Sequence, residues 1–195
     1  DVAWYGEIYR DERFARTDVS GNFGGSWQAL PEWRLGGAFG AADDADFEPT
    51  REWSLEAQRS WGSGWGTGLQ YRHRDFPSAA VSSYSFMGDR YISNYRVGYQ
   101  LNYSLLHGAS SSIGHTVVLG WYPSDARSLG LTFGAGEEIE RVDLDDLLRT
   151  RVNSVTLSGR EVLSTRWALS WWIGTHEQGD FYRRRYGGVA VRVGL

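Results

Sequence analysis

The chain has 195 residues, no cysteine, a net charge of −4 and 41% hydrophobic residues, including ten Trp, eleven Tyr and eight Phe. So mild a charge, with basic residues dispersed along the chain, argues against a nucleic-acid partner. No run approaches the roughly 20 apolar residues of a spanning helix, which excludes a helical membrane protein but not a β-barrel, where every second residue can be polar.

Gly, Pro, Asp and Ser clusters divide the sequence into about twelve alternating runs, the even count of a single-chain outer-membrane barrel. The predicted strands lie near 2–14, 20–30, 33–42, 51–62, 65–75, 80–88, 90–104, 111–122, 127–138, 150–161, 163–176 and 181–195. Short connections fall at 30–33, 62–64, 88–90, 123–127 and 161–163. Longer or more polar ones fall at 16–20, 43–50, 75–79, 105–110, 139–149 and 177–180, where a turn of helix is expected over 143–148. Alternation of short turns with long loops predicts one all-β, antiparallel transmembrane barrel over residues 1–195 with both termini periplasmic. No signal peptide precedes Asp1, as expected of a chain that begins at or after a processing site.

The clearest strand signal runs from Tyr91 to Tyr103. Tyr91, Tyr95, Val97, Tyr99, Leu101 and Tyr103 share one face, while Asn94, Arg96, Gln100 and Asn102 share the other. A tyrosine-dominated face points to lipid rather than to the aliphatic layer of a soluble sandwich. The outward set continues with Trp27, Leu35, Phe39, Trp53, Leu55, Leu69, Tyr71, Ile113, Val117, Leu119, Leu131, Phe133, Leu169, Trp171, Ile173, Val189 and Val191. Trp33, Trp61, Trp65, Trp121 and Trp167 lie beside short turns and predict one aromatic girdle, with Trp53 assigned to the opposite one.

The opposite face supplies the lumen candidates Arg34, Glu56, Arg72, Arg96, Gln100, Arg160, Arg184 and Arg192. All 20 basic residues are arginine. Guanidinium groups bind carboxylate and phosphate bidentately, so these residues suit an anion path. The alternative is that they pair with Glu32, Glu52, Glu56 and Glu138 and fill the lumen. Arg183 and Arg185, outward near a strand end, are candidates for contact with lipopolysaccharide phosphates, or else ordinary interfacial charges. Tyr84, Tyr122, Tyr182 and Tyr186 are candidate sugar-stacking residues.

Neither acidic cluster, Asp43, Asp44, Asp46 and Glu48 or Glu137, Glu138, Glu140, Asp143, Asp145 and Asp146, follows the spacing of a calcium loop. No metal or cofactor is expected. A hydrolase reading rests on His115 with Ser93 or Ser111, or on His176 beside Glu177. No serine motif surrounds these residues, and an interfacial hydrogen-bonding role for His115 is the competing reading.

From Tyr71 onward, the segments "YRHRDFPSAAVSSYSFMGDRYISNYRVGY", "LGWYPSDARSLGLTFGAGEE" and "LSTRWALSWWIGTHEQGDFYRRRYGG" resemble the YaiO-type outer-membrane β-barrel family. The resemblance implies an outer-membrane barrel without known catalytic residues. Members often follow tetratricopeptide repeats in exopolysaccharide systems, so it also implies a transport or surface role for a polysaccharide or anionic solute, with a periplasmic repeat protein as a partner. The chain departs from outer-membrane assembly signals in ending Val-Gly-Leu instead of with an aromatic residue. An envelope-lipid hydrolase or transferase and a plugged structural or receptor barrel are the alternatives.

Overall fold

The computed structural model describes residues 1–13, 16–43, 45–46, 48–108, 110–141, 147–180 and 182–193. Twelve strands form one sheet, each paired antiparallel with its chain neighbours: β1 Val2–Arg13, β2 Arg16–Leu30, β3 Trp33–Asp43, β4 Arg51–Ser60, β5 Trp65–Asp75, β6 Ala80–Ile92, β7 Tyr95–Leu106, β8 Ser111–Ser124, β9 Arg127–Arg141, β10 Leu147–Val162, β11 Trp167–Gln178 and β12 Tyr182–Val193. The ladder order is β1 to β12 without a crossover. Among the described residues no ladder joins β12 to β1.

With an even strand count, β1 begins and β12 ends at the same rim. That rim, called the turn rim here, carries the connections 31–32, 61–64, 93–94, 125–126 and 163–166. The opposite loop rim carries 44–50, 76–79, 107–110 and 179–181. The helical turn expected over 143–148 falls largely on 142–146, outside the described residues, while Leu147 and Leu148 begin β10.

Three expected connections are corrected. Residues 16–20 belong to β2, whose first residue pairs with the last of β1, Arg13 with Arg16. Gly88-Asp89-Arg90 is a strand interior, because the β5 ladder continues through Thr67–Gly88 to Trp65–Arg90. The turn is Ser93-Asn94, with Ser93 at φ 51°, and Ile92 pairs across it with Tyr95. Tyr91 therefore faces inward beside Arg96, not outward with Tyr95, and Asn94 lies in the turn. Turn chemistry favoured the glycine locally, and the longer ladder with β5 decided otherwise. Pro123 sits within β8 at the register shift between Trp121 and Ser124, a place where a missing N–H interrupts no ladder bond.

Elsewhere the registers put the predicted outward residues on one face: Trp27–Leu35, Phe39–Trp53, Leu55–Tyr71 and Tyr99–Val117 are direct partners, and Phe23 and Leu157 join that face as partners of Phe39 and Ile173. At the turn rim, the Arg59 guanidinium lies 3.8 Å from the Trp61 ring centre and 5.3 Å from that of Trp33, and Arg90 lies 5.0 Å from Trp65. Indole and guanidinium together suit a headgroup boundary, each presenting an apolar body and a polar tip.

Buried apolar side chains are few. Val81 and Leu106 pair inside the loop rim with Phe76 and Ala79 packed against them, and Val152 lies inward on β10. A 22.0 kDa soluble domain would bury far more, whereas Trp4, Ile8, Phe23, Leu69 and Val189 are all at least 60% exposed.

Two measurements check this partition. Cysteines at Tyr99 and Leu169 are expected to resist water-soluble thiol reagents in membranes and to react with lipid-phase probes, with the reverse at Gln100 and Ser170. Leu119→Arg, on the outward face, should destabilise the refolded protein by about 2–4 kcal/mol if mid-membrane, read from urea unfolding in vesicles.

Candidate functional site: a polar lumen

The inward positions of β1–β12 converge on a polar interior. At mid-height, a cavity of about 430 Å³ is lined by Gln70, Arg72 and Arg74 of β5, Ser83 and Ser85 of β6, Gln100, Asn102 and Ser104 of β7, His176 of β11 and Arg184 of β12, with Glu137 at its border. Strands far apart in the ladder thus face one another across it, which shows that the sheet curls around this space. Hydroxyls and amides are linked along its wall: Ser85 donates to Asn102 Oδ1 at 2.6 Å, Gln100 donates to the same oxygen at 2.6 Å, and Ser83 and Ser104 share a bond of 2.8 Å.

The lumen candidates divide into two tiers. Arg72 and Arg184, joined by Arg74, surround the mid-height cavity. Arg34, Arg96, Arg160 and Arg192 lie nearer the turn rim, where Arg160 borders a cavity of about 660 Å³ together with Tyr91, Tyr122 and the 123–128 segment. Arg34 and Arg192 are on the inward face by register, opposite Gln58 and Ala168. Glu56 lines a third cavity of about 330 Å³ with Glu52, Gln70 and Arg72, and accepts a hydrogen bond from Gln58.

Arg96 does not pair with the glutamates suggested by the sequence. Its Nε lies 3.1 Å from Asp89 Oδ2, and its guanidinium lies 5.6 Å from the Tyr91 ring centre. Asp89 was hidden because 88–90 read as a turn. Glu137 holds Arg149 at 3.6 Å, and the Glu138 side chain lies outside the described residues.

The described inward charges fall in two groups that meet where Glu52 of β4 is the ladder partner of Arg74 of β5. Carboxylates come from β1, β2 and β4 (Glu7, Asp18, Glu52 and Glu56), with Asp89 paired to Arg96. Apart from Arg34 and Arg16 near the rims, the inward guanidiniums come from β5, β7, β10 and β12.

Aromatic rings join this surface. The Tyr122 ring lies tilted against that of Tyr91, 6.0 Å between centres, and Tyr186 covers Gly174 and bonds Thr156, with Arg184 5.7 Å from its ring centre. A Cβ at Gly174 would stand 2.6 Å from Tyr186 Cζ, so only glycine admits the ring there. Trp172 also faces inward, over Gly188. It was legible in principle, since consecutive Trp171 and Trp172 cannot share a face. Tyr84 faces outward between Tyr71 and Tyr103, and the Tyr182 side chain lies outside the described residues.

The remaining candidates are exposed or elsewhere. Arg183 and Arg185 are outward on β12, and Arg183 pairs with Glu177 at 2.5 Å. His115 is outward, and its Nδ1 is 2.6 Å from the Tyr99 hydroxyl. Ser93 lies in a turn at one rim and Ser111 at the start of β8, so His115 is assembled with neither. Among the described residues no cluster of three metal-ligating groups occurs.

At the loop rim Asp18, 1% exposed, accepts backbone N–H bonds from Asp46 (3.1 Å to each oxygen) and Glu48 (2.7 Å), and Arg16 holds Asp46 at 2.8 Å. The acidic segment around 46–48 is thus latched to β2 by its backbone, while on the other side Gln178 donates to Thr150 Oγ1 at 2.9 Å.

Fold and lumen together define an antiparallel twelve-stranded barrel-type protein with an apolar exterior and a charged interior. Two solved structures share the fold, a KdgM porin and the KdgM porin in complex with disordered oligogalacturonate. Each has a TM-score of 0.63 and 8% identity and is covered over 99% of its chain by 100% of this one. No protein-family profile matches the chain, and no curated protein matches it.

Asp18→Ala is expected to release the latched segment, at a cost of about 1–3 kcal/mol for the orphaned N–H groups. Limited proteolysis should then cut near 45–50 in the variant and spare the parent.

Proposed function

We propose that the chain is a porin-like barrel of a Gram-negative outer membrane, with both termini periplasmic, that passes or holds an anionic oligo- or polysaccharide. The observation that carries this reading is the mid-height cavity, where Arg72, Arg74 and Arg184 stand among Gln70, Gln100, Asn102 and three serines. Guanidiniums answer carboxylates, amides and hydroxyls answer sugar hydroxyls, and the inward rings of Tyr186, Tyr122 and Trp172 offer faces to pyranose rings. The oligogalacturonate complex of the structural neighbour supports the same ligand chemistry, a sugar chain with regularly spaced carboxylates.

The YaiO-type resemblance of the segments from Tyr71 onward supports export or surface retention of an exopolysaccharide as the setting, with a separate periplasmic repeat protein as partner. Arg183 and Arg185 would meet lipopolysaccharide phosphates on the outer wall. No chemistry on the sugar is invoked.

Planar-bilayer recordings test the reading. The refolded parent should conduct with anion preference, and oligogalacturonate should block it. Arg72→Glu and Arg184→Glu should each lower the anion-to-cation permeability ratio severalfold. Arg96→Glu, already neutralised by Asp89, should change the ratio less and instead destabilise the turn rim. A parent without conductance or oligosaccharide binding would leave a plugged structural barrel.

A further inference from the structure

On the outer wall, the lipid-side residues of β5 and β6 change from apolar to polar toward the loop rim: Leu69, Tyr71, His73, Asp75 on β5 and Phe86, Tyr84, Ser82 on β6, while β7 beside them stays apolar through Leu101, Tyr103 and Leu105. The change marks the level at which a bilayer passes from acyl chains to headgroups, and lipid ester groups lie at that level. Five polar side chains meet there. His73 Nδ1 is 3.0 Å from Ser82 Oγ, His73 Nε2 is 3.1 Å from Asp75 Oδ1, and Ser82 Oγ is also 2.9 Å from His107 Nε2 and 3.1 Å from the Tyr71 hydroxyl.

With His73 neutral, the hydrogen-bond chemistry permits one consistent assignment. The Asp75 carboxylate accepts the Nε2 proton of His73, so Nδ1 carries the lone pair and accepts the single Ser82 proton. Tyr71 and His107 then donate to the Ser82 oxygen. A serine aimed at an imidazole that a carboxylate orients is the arrangement of an activated nucleophile. His73 and Ser82 are direct cross-strand partners nine positions apart in sequence, and Asp75 lies on the same face as His73.

A second feature adjoins this cluster. An apolar groove of about 620 Å³ runs along the outer wall beside Leu35, Leu55, Leu69, Phe86 and Tyr103 and ends at Tyr71, the residue that bonds Ser82. An acyl chain lying in the groove would bring its ester end to the Ser82 hydroxyl.

We propose that Ser82, His73 and Asp75 form a lipid-facing esterase site for the acyl esters of membrane lipids. Ser82 Oγ attacks the ester carbonyl carbon and its proton passes to His73 Nδ1. The C–O bond to the lipid alcohol breaks, and the leaving alcohol takes that proton. Water then attacks the acyl-serine, giving its proton to His73, which returns it to Ser82 as the fatty acid leaves. Ser82 is 4% exposed, so Tyr71 must swing from it for a carbonyl to enter, and its hydroxyl and His107 Nε2–H are the donors available to the developing oxyanion. Asp75 is a positioning residue.

The test uses the refolded full chain, with folding verified by heat-modifiable electrophoretic mobility. It is presented with phosphatidylethanolamine vesicles in one arm and purified lipopolysaccharide in the other, and released fatty acid is quantified. A fluorophosphonate probe is mapped by peptide mass. The parent should release fatty acid in one arm, which names the lipid source, and should be labelled at Ser82. Ser82→Ala and His73→Asn should each lose about 10³-fold or more of the activity, while Ser111→Ala should retain it. Asp75→Asn should slow release and displace its pH profile, and Asp75→Glu should restore part of both. A correctly folded parent that releases no fatty acid in either arm, or a folded Ser82→Ala that keeps the parent's rate, overturns the proposal. Because the site is outside the lumen, Ser82→Ala should leave conductance unaltered, so this proposal and the channel reading fail separately.

Discussion

Backbone hydrogen bonding in a medium without water is the constraint on which everything else here depends. In hydrocarbon an unpaired N–H or C=O costs several kcal/mol, so each strand must be paired along its length before any side chain matters. The eleven consecutive antiparallel ladders supply that pairing, and they explain why Gly88 is a strand residue and why Pro123 is placed at a register shift. The same constraint bears on the two ends of the meander. The outward residues Val2, Trp4 and Ile8 of β1 and Val189, Val191 and Val193 of β12 match the rest of the apolar wall, so in a bilayer these two edges have only each other as partners.

Once the ladders are fixed, a period of two assigns every side chain to lipid or lumen, and the cost of a misplaced charge enforces the assignment. The outward polar groups found along the strands are managed locally. His115 is bonded by Tyr99, and Arg59 and Arg90 lie against indole rings at the turn rim. His73, Ser82 and His107 satisfy one another at the loop-rim boundary. A shared hydroxyl contacted by two imidazoles and a tyrosine saturates its bonding capacity, which allows so polar a group to sit on an otherwise apolar wall.

Inside, packing is dense at the loop rim and sparse at mid-height. Asp18, Val81, Leu106, Thr150, Val152 and Gln178 are all buried near the rim, whereas the mid-height arginines border cavities. A barrel of this strand number lies between one filled by side chains and an open porin, and the protein combines both regimes along its axis. Inward carboxylates and guanidiniums meet at two places on the wall: Glu52 is the ladder partner of Arg74, and Asp89 is bonded by Arg96.

The sequence alone determined the strand number, the approximate place of each strand and the face of almost every residue, because alternation is a local property written in consecutive side chains, whereas limits such as the ends of β6 and β9 and the starts of β2, β7, β10 and β11 lay three to five residues from those expected. It also assigned Arg72, Arg96, Arg160 and Arg184 to one face of the sheet and His115 to the other, and the ladder registers match that division. Only the tertiary structure decided that Tyr91 and Asp89 face inward, since the end of β6 depends on its pairing with β5. It also selected Asp89 as the partner of Arg96, made Asp18 the latch of the 46–48 segment, and joined Arg74, His176 and Arg184 around one cavity. Likewise Ser82 meets His73, Asp75 and His107 through the registers of three strands. Such meetings are set by ladder register and by the curl of the sheet, quantities that no single strand's pattern contains.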